Sequence, residues 1–144
     1  MKIHADLRAA VIRRANSRCE YCLLHQDDAA FAHEADHIIS KLHGGETVAD
    51  NLAYACMVCN RYKGANISSI ASHGDLVRLF NPRLSRWEEH FRLAGAVIEP
   101  LDSVGEVTAR LLRLKHSGTR RETERSSAAS AIPAKLRDML GIVR

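Results

Sequence analysis

Four cysteines constrain this chain more than any other feature. They fall in two C-x-x-C pairs, Cys19/Cys22 in "CEYC" and Cys56/Cys59 in "CMVC", with none left over. Two such knuckles supply the four thiolates of a tetrahedral metal site, and zinc is the ion that such a sulfur set takes in a structural role. A closed site with four protein ligands has no position for a substrate, so its expected work is to tie remote parts of a small chain together. Two alternatives stand beside this reading. Disulfides need an oxidising compartment, whereas the start "MKIHADLRAA" lacks the apolar segment of a secretory signal, which favours reduced thiols and a cytoplasmic location. A redox pair of the thioredoxin kind needs a context that two separate C-x-x-C pairs do not supply.

The segment between the knuckles is longer than in a compact zinc ribbon, so something sizeable is inserted there. Ahead of it, Asp6 is placed to cap a helix running to about Ala15, with Leu7, Ala10, Val11 and Ala15 on one face and Asn16-Ser17 ending it. "FAHEADHII" then reads as a short strand, "SKLHGGETVAD" as the Gly-rich turn of a long hairpin, and "NLAYAC" as the return strand. A helix is expected to start at Cys59 in "CNRYKGANISSI". The order is strand, loop, strand, helix.

Setting the cysteines aside, the inserted hairpin and the helix after it hold Glu34, Asp36, His37, Asn51, Asn60 and Lys63. "EADHIIS", "GGETVADNL" and "CMVCNRYKG", framed by "CEYC", resemble the HNH endonuclease family in the subtype with a four-cysteine zinc site. The likeness covers about Arg18 to Ile67, less than half the chain. It implies an α+β protein: a small ββα-metal fold, zinc-stabilised, with an N-terminal helix in front and a C-terminal β-meander and helix extension behind. It also implies a metal-dependent nuclease acting on DNA, with RNA as an alternative substrate, and products carrying a 5′-phosphate and a 3′-hydroxyl.

The chemistry of the residues fits that implication. Phosphodiester hydrolysis needs a base, a group that orients the base, and a divalent cation facing the leaving oxygen. His37 suits the base, because an imidazole near pKa 6.5 is largely neutral at pH 7 and still accepts a proton. Asp36 offers a hard carboxylate oxygen, and the resemblance makes Asn60 its partner in holding the cation. Asn where the family's eponymous residue is His makes this a His-Asn-Asn variant, whose two oxygen donors favour Mg²⁺ or Mn²⁺. Asn51 is expected to accept the imidazole N–H with its side-chain carbonyl, the role of the family's middle Asn. Lys63, one turn beyond Asn60, is placed to reach a phosphate oxygen, and Glu34 is a candidate to orient a ligand. Plainer roles stay open: Asn51 as a loop cap, Asn60 as a helix cap, Lys63 as a solvated lysine. Asp36 and His37 are adjacent, so they serve one site only if the strand ends or bulges there.

Charge divides the chain unevenly. Residues 1–60 carry six Lys/Arg against eight Asp/Glu, and residues 61–144 carry fifteen against nine, within a net charge of +4. A basic second part suits a polyanion, with Arg61, Lys63, Arg78 and Arg83 as candidate contacts and Arg86 and Arg92 nearby. Phe80, Trp87 and Phe91 are expected to form a satellite core beneath a small meander, and Val107, Leu111, Leu112 and Leu114 one face of a later helix. The organisation expected is a nuclease domain over 1–70, a small extension packed on it over 71–116, a flexible polar linker over 117–132, and a short terminal helix over 133–144. No apolar run is long enough to span a membrane. Two other classes of function fit less of the sequence. A zinc-stabilised nucleic-acid-binding module without cleavage does not need the Asp-His, Asn, Asn set, and neither does a protein-interaction domain. One active site per chain nicks; cutting both strands takes a homodimer or two visits.

Overall fold

The computed structural model describes residues 3–114. Helix α1 spans Ala5–Arg14 and begins at His4, which makes no side-chain cap. The capping role expected of Asp6 is therefore corrected: Asp6 lies inside the first turn, where its carboxylate favours the helix dipole instead. The helix ends where Asn16 and Ser17 take φ of 54° and 60°, a left-handed pair that turns the chain toward Cys19.

Strand β1, Glu34–His37, pairs antiparallel with β2, Leu52–Ala55, in the register Asp36 opposite Ala53 and His37 opposite Leu52. All four residues of β2 are buried, and its alternation assigns two faces. Leu52 and Tyr54 pack with Val11 of α1, whereas Ala53 and Ala55 join the cysteines in the main core. Cross-strand partners share a face. His37 therefore belongs to the α1 side of the hairpin and Asp36 to the opposite side. His37 is also the last residue of β1, so the strand ends where the Asp-His pair needs it to end.

Helix α2 runs from Met57 to Lys63, with Cys56 as its N-cap. It starts two residues earlier than the sequence suggested, because the Cys56 side chain accepts the Cys59 N–H and so completes the first turn. Asn60 is consequently in the middle of the helix and is neither its opening residue nor its cap.

The extension is not a single meander. It comprises a hairpin of β3 (Ser68–Ile70) and β4 (Leu76–Arg78), a short helix α3 (Trp87–His90), a second hairpin of β5 (Phe91–Ala94) and β6 (Val97–Pro100), and helix α4 (Ser103–Leu112). Asp102 caps α4 by accepting the Gly105 N–H at 2.8 Å. Phe80, Trp87 and Phe91 are buried together, with Phe80 and Trp87 rings 5.5 and 5.1 Å from Phe91. They form no satellite: they belong to the same cluster as the four cysteines, Val107, Leu112 and Leu114. The Trp87 indole N–H donates to the Tyr21 carbonyl at 2.8 Å, fastening the extension to the first knuckle. The linker and terminal helix expected over 117–144 lie outside the described residues.

Candidate functional site

The four cysteine sulfurs lie within 4.8 Å of one another, and all four residues are buried. Cys22 Sγ and Cys56 Sγ are 3.7 Å apart, far beyond a disulfide bond, and the cysteines are free. A zinc–sulfur bond of about 2.3 Å in a tetrahedron gives a sulfur–sulfur edge of about 3.8 Å, so the pair is spaced as two corners of such a site. In each knuckle a backbone N–H points at the first sulfur, Cys22 to Cys19 and Cys59 to Cys56, both at 3.4 Å, which offsets thiolate charge. Hydrogen bonds from Cys19, Cys22 and Cys59 push the Cys56 thiol far down, while bonds to neighbouring sulfurs, with burial, push Cys22 and Cys59 up. The cluster thus already favours one thiolate, and the donor set of four sulfurs suggests zinc as the ion it holds.

A second group of side chains gathers at the end of the β1–β2 hairpin. The His37 Nε2 lies 2.8 Å from Thr47 Oγ1. Burial lowers the His37 pKa below 6.5, although Asp36 pulls it upward. On the other face, Lys63 Nζ reaches Asp36 Oδ2 at 3.0 Å and donates to the His37 carbonyl at 2.9 Å. Burial raises the Asp36 carboxyl, against the opposing pull of Lys63.

Asn51 organises the connecting loop. Its Oδ1 accepts the Ile39 N–H at 2.9 Å, and its Nδ2 donates to the carbonyls of Ile39 and Glu46 at 2.9 and 2.8 Å. The adjacent glycines serve two different needs. Gly44 has φ of 86°, in the left-handed region. Gly45 is pressed so closely on the strand end that a Cβ there would sit 1.7 Å from the Ile39 oxygen and 2.8 Å from Asn51 Nδ2.

Residues 19–66 match the family model HNH endonuclease. The match opens on the first cysteine of the metal cluster and closes at Asn66, so it contains both knuckles, the hairpin and α2. It ties this segment to nuclease-type work on nucleic acid. No curated protein and no solved structure matches the chain.

Within the matched segment Lys63 brings Asp36 and His37 together, and Asn51 has other partners than expected. The Asn51 side-chain carbonyl accepts the Ile39 N–H, and it is Thr47 that stands against the imidazole. Sequence reasoning missed Thr47, whose only signal was a hydroxyl in the Gly-rich loop. Lys63 does not face solvent: it is 2% exposed and bound to Asp36 and His37, which removes it as a phosphate contact. Asn60 lies one turn before Lys63 on α2 and is partly buried. Glu34 is exposed at the start of β1, opposite Ala55.

Of the other candidates, Arg61 is exposed on α2 and Arg78 is exposed at the end of β4. Arg83 is withdrawn from the surface set: it is largely buried, paired with Glu20 and bonded to the Leu52 carbonyl. Arg14 shares that carbonyl at 2.6 Å and also donates to the Ala49 carbonyl at 2.9 Å. Burial, then the charge of Arg83, lowers the Arg14 pKa. Among the described residues, no helix is long and apolar enough to cross a membrane.

Proposed function

We propose that this protein is a metal-dependent endonuclease that hydrolyses DNA phosphodiester bonds at the end of the β1–β2 hairpin, with His37 as general base. The observation that carries the reading is the Asp36–His37 pair at the strand terminus, its imidazole fixed by Thr47 and its carboxylate and backbone fixed by Lys63. With Nε2–H donating to Thr47, the lone pair sits on Nδ1, where it takes a proton from the attacking water. The lowered pKa keeps the ring neutral at pH 7. Asn51 acts at one remove, holding Glu46, and so its neighbour Thr47, against the strand end.

Asp36 and Asn60 are the residues that would hold a divalent cation. The chemistry of their oxygens fits Mg²⁺ or Mn²⁺ better than Zn²⁺, and a buried carboxylate held above its ordinary pKa gains from a cation beside it. When bound, that cation supplies charge stabilisation for the departing 3′ oxygen. Arg61 and Arg78, both exposed, are the candidate contacts for flanking phosphates. Zinc-loaded protein is expected to cut plasmid DNA with Mg²⁺ or Mn²⁺ and not in EDTA; better cutting with excess Zn²⁺ than with either would overturn the assignment of the donors.

One observation favours a second reading. Lys63 already neutralises Asp36, an arrangement that a nucleic-acid-binding module without cleavage also tolerates. DNA binding without any metal-dependent cutting selects that module.

A further inference from the structure

Lys63 brings a full positive charge to the carboxylate assigned to the divalent cation. Its side chain is 3% exposed and that of Asp36 13% exposed, with Nζ 3.0 Å from Oδ2. That oxygen is buried and makes no hydrogen bond, so the ammonium faces it as a charge and not as an aligned donor. Burial and the bond from Nζ to the His37 carbonyl, at 2.9 Å, hold the ammonium in place. The charges acting on Asp36 are those of Lys63 and, when protonated, His37. Other acids of the hairpin and its loop do not add to it: Glu34 and Asp50 are exposed and act on Tyr54 and Arg14, and Glu46 is exposed.

We propose that Lys63 makes the binding of a divalent cation at Asp36 depend on bound nucleic acid. The inference rests on the nuclease reading for the place of that cation. With Asp36 balanced by Lys63 and Asn60 neutral, the side chains named for the cation supply no net negative charge. An ammonium held beside the carboxylate also repels a second cation there. A phosphodiester carries the charge that is lacking, and Mg²⁺ ordinarily combines one or two carboxylates with the phosphate oxygens of a substrate. Nucleic acid therefore completes a site that the protein leaves electrically neutral. Lys63 acts here as a positioning residue, through Asp36.

The test measures Mn²⁺ bound to full-length, zinc-loaded protein, by electron paramagnetic resonance of the free ion, in wild type, Lys63→Met, Lys63→Arg and Asp36→Asn. Lys63→Met should bind Mn²⁺ about tenfold more tightly than wild type. Lys63→Arg should bind it no more tightly than wild type, and Asp36→Asn should lose the site. A damaged fold weakens a site, so a gain in affinity is a change that a merely structural lysine does not produce. A second measurement needs no Lys63 variant: the anisotropy of a labelled duplex on His37→Ala, which leaves the DNA intact. Coupling between two ligands is reciprocal, so Mn²⁺ should tighten duplex binding by His37→Ala more than by the Asp36→Asn, His37→Ala double variant. Equal Mn²⁺ affinity in wild type and Lys63→Met, or an equal effect of Mn²⁺ on the two His37→Ala proteins, overturns the role of Lys63; if wild type still cuts with Mn²⁺, the nuclease stands. The gain in Lys63→Met beside a wild type that never cuts supports Lys63 and removes the nuclease.

Discussion

Lys63 Nζ lies 3.0 Å from Asp36 Oδ2 while donating to the carbonyl of His37, so one buried ammonium holds both members of the Asp-His pair. Deleting one partner of a buried pair leaves the other uncompensated, and Lys63→Met is expected to cost about 3 kcal/mol in urea unfolding of the zinc-loaded protein. The pH dependence follows from the raised Asp36 pKa, which burial causes and Lys63 opposes. The folded protein binds this proton more tightly than the unfolded chain, so stability is greatest below the unfolded value and falls as pH rises toward the folded one. Lys63→Met removes the opposing charge and deepens that fall. Stability curves for variant and wild type that run parallel would contradict this.

Thr47 is expected to matter through the imidazole. Thr47→Val keeps the shape and deletes the hydroxyl, and the loss of one oriented hydrogen bond should lower kcat by about tenfold. Because burial lowers the His37 pKa, cleavage should rise with pH through an acid limb below 6.5 and level off before neutrality. Thr47→Val at the wild-type rate, or a limb centred above 6.5, counts against His37 as the base.

The two loop glycines should respond differently. Gly44→Ala pays only for its φ of 86°, about 1 kcal/mol. Gly45→Ala puts a methyl group into the Ile39 oxygen and against Asn51, so the loop carrying Thr47 has to shift; a larger stability loss, about 1–3 kcal/mol, and a fall in cleavage are expected. Thermal midpoints and nicking rates of the two variants, measured side by side, decide this.

Zinc removal should undo more than the knuckles. The cysteines lie in the same buried cluster as Trp87, Phe91 and Leu112, so the extension is expected to lose its packing when the ion leaves. Elemental analysis should find one zinc per chain, released as pH falls because protons compete for the thiolates. A metal-free chain with an unchanged near-ultraviolet signal from Trp87 would contradict that coupling.

Much of the site was legible because its signals are local. The C-x-x-C spacing dictates the knuckles, and the Gly-Gly loop between apolar runs dictates the hairpin. What was not legible depends on residues meeting across the fold. Lys63 follows Asn60 by one turn whether it faces solvent or β1; only the packing of α2 on the hairpin turns it inward. The partner of His37 depends on how the loop folds back, and Asn51, expected to accept the imidazole N–H, spends its amide on Ile39 and Glu46. The union of Arg14, Arg83 and Leu52 joins residues far apart in sequence. Helix α3 is a single turn, too short for periodicity to reveal.

The most direct test is the nicking of supercoiled plasmid by wild type and His37→Ala, both zinc-loaded and equally stable, in EDTA, Mg²⁺ and Mn²⁺. Wild type should nick only with added Mg²⁺ or Mn²⁺, and His37→Ala should be slower by a factor of about 10² to 10⁴. Equal nicking by the two proteins would contradict the account.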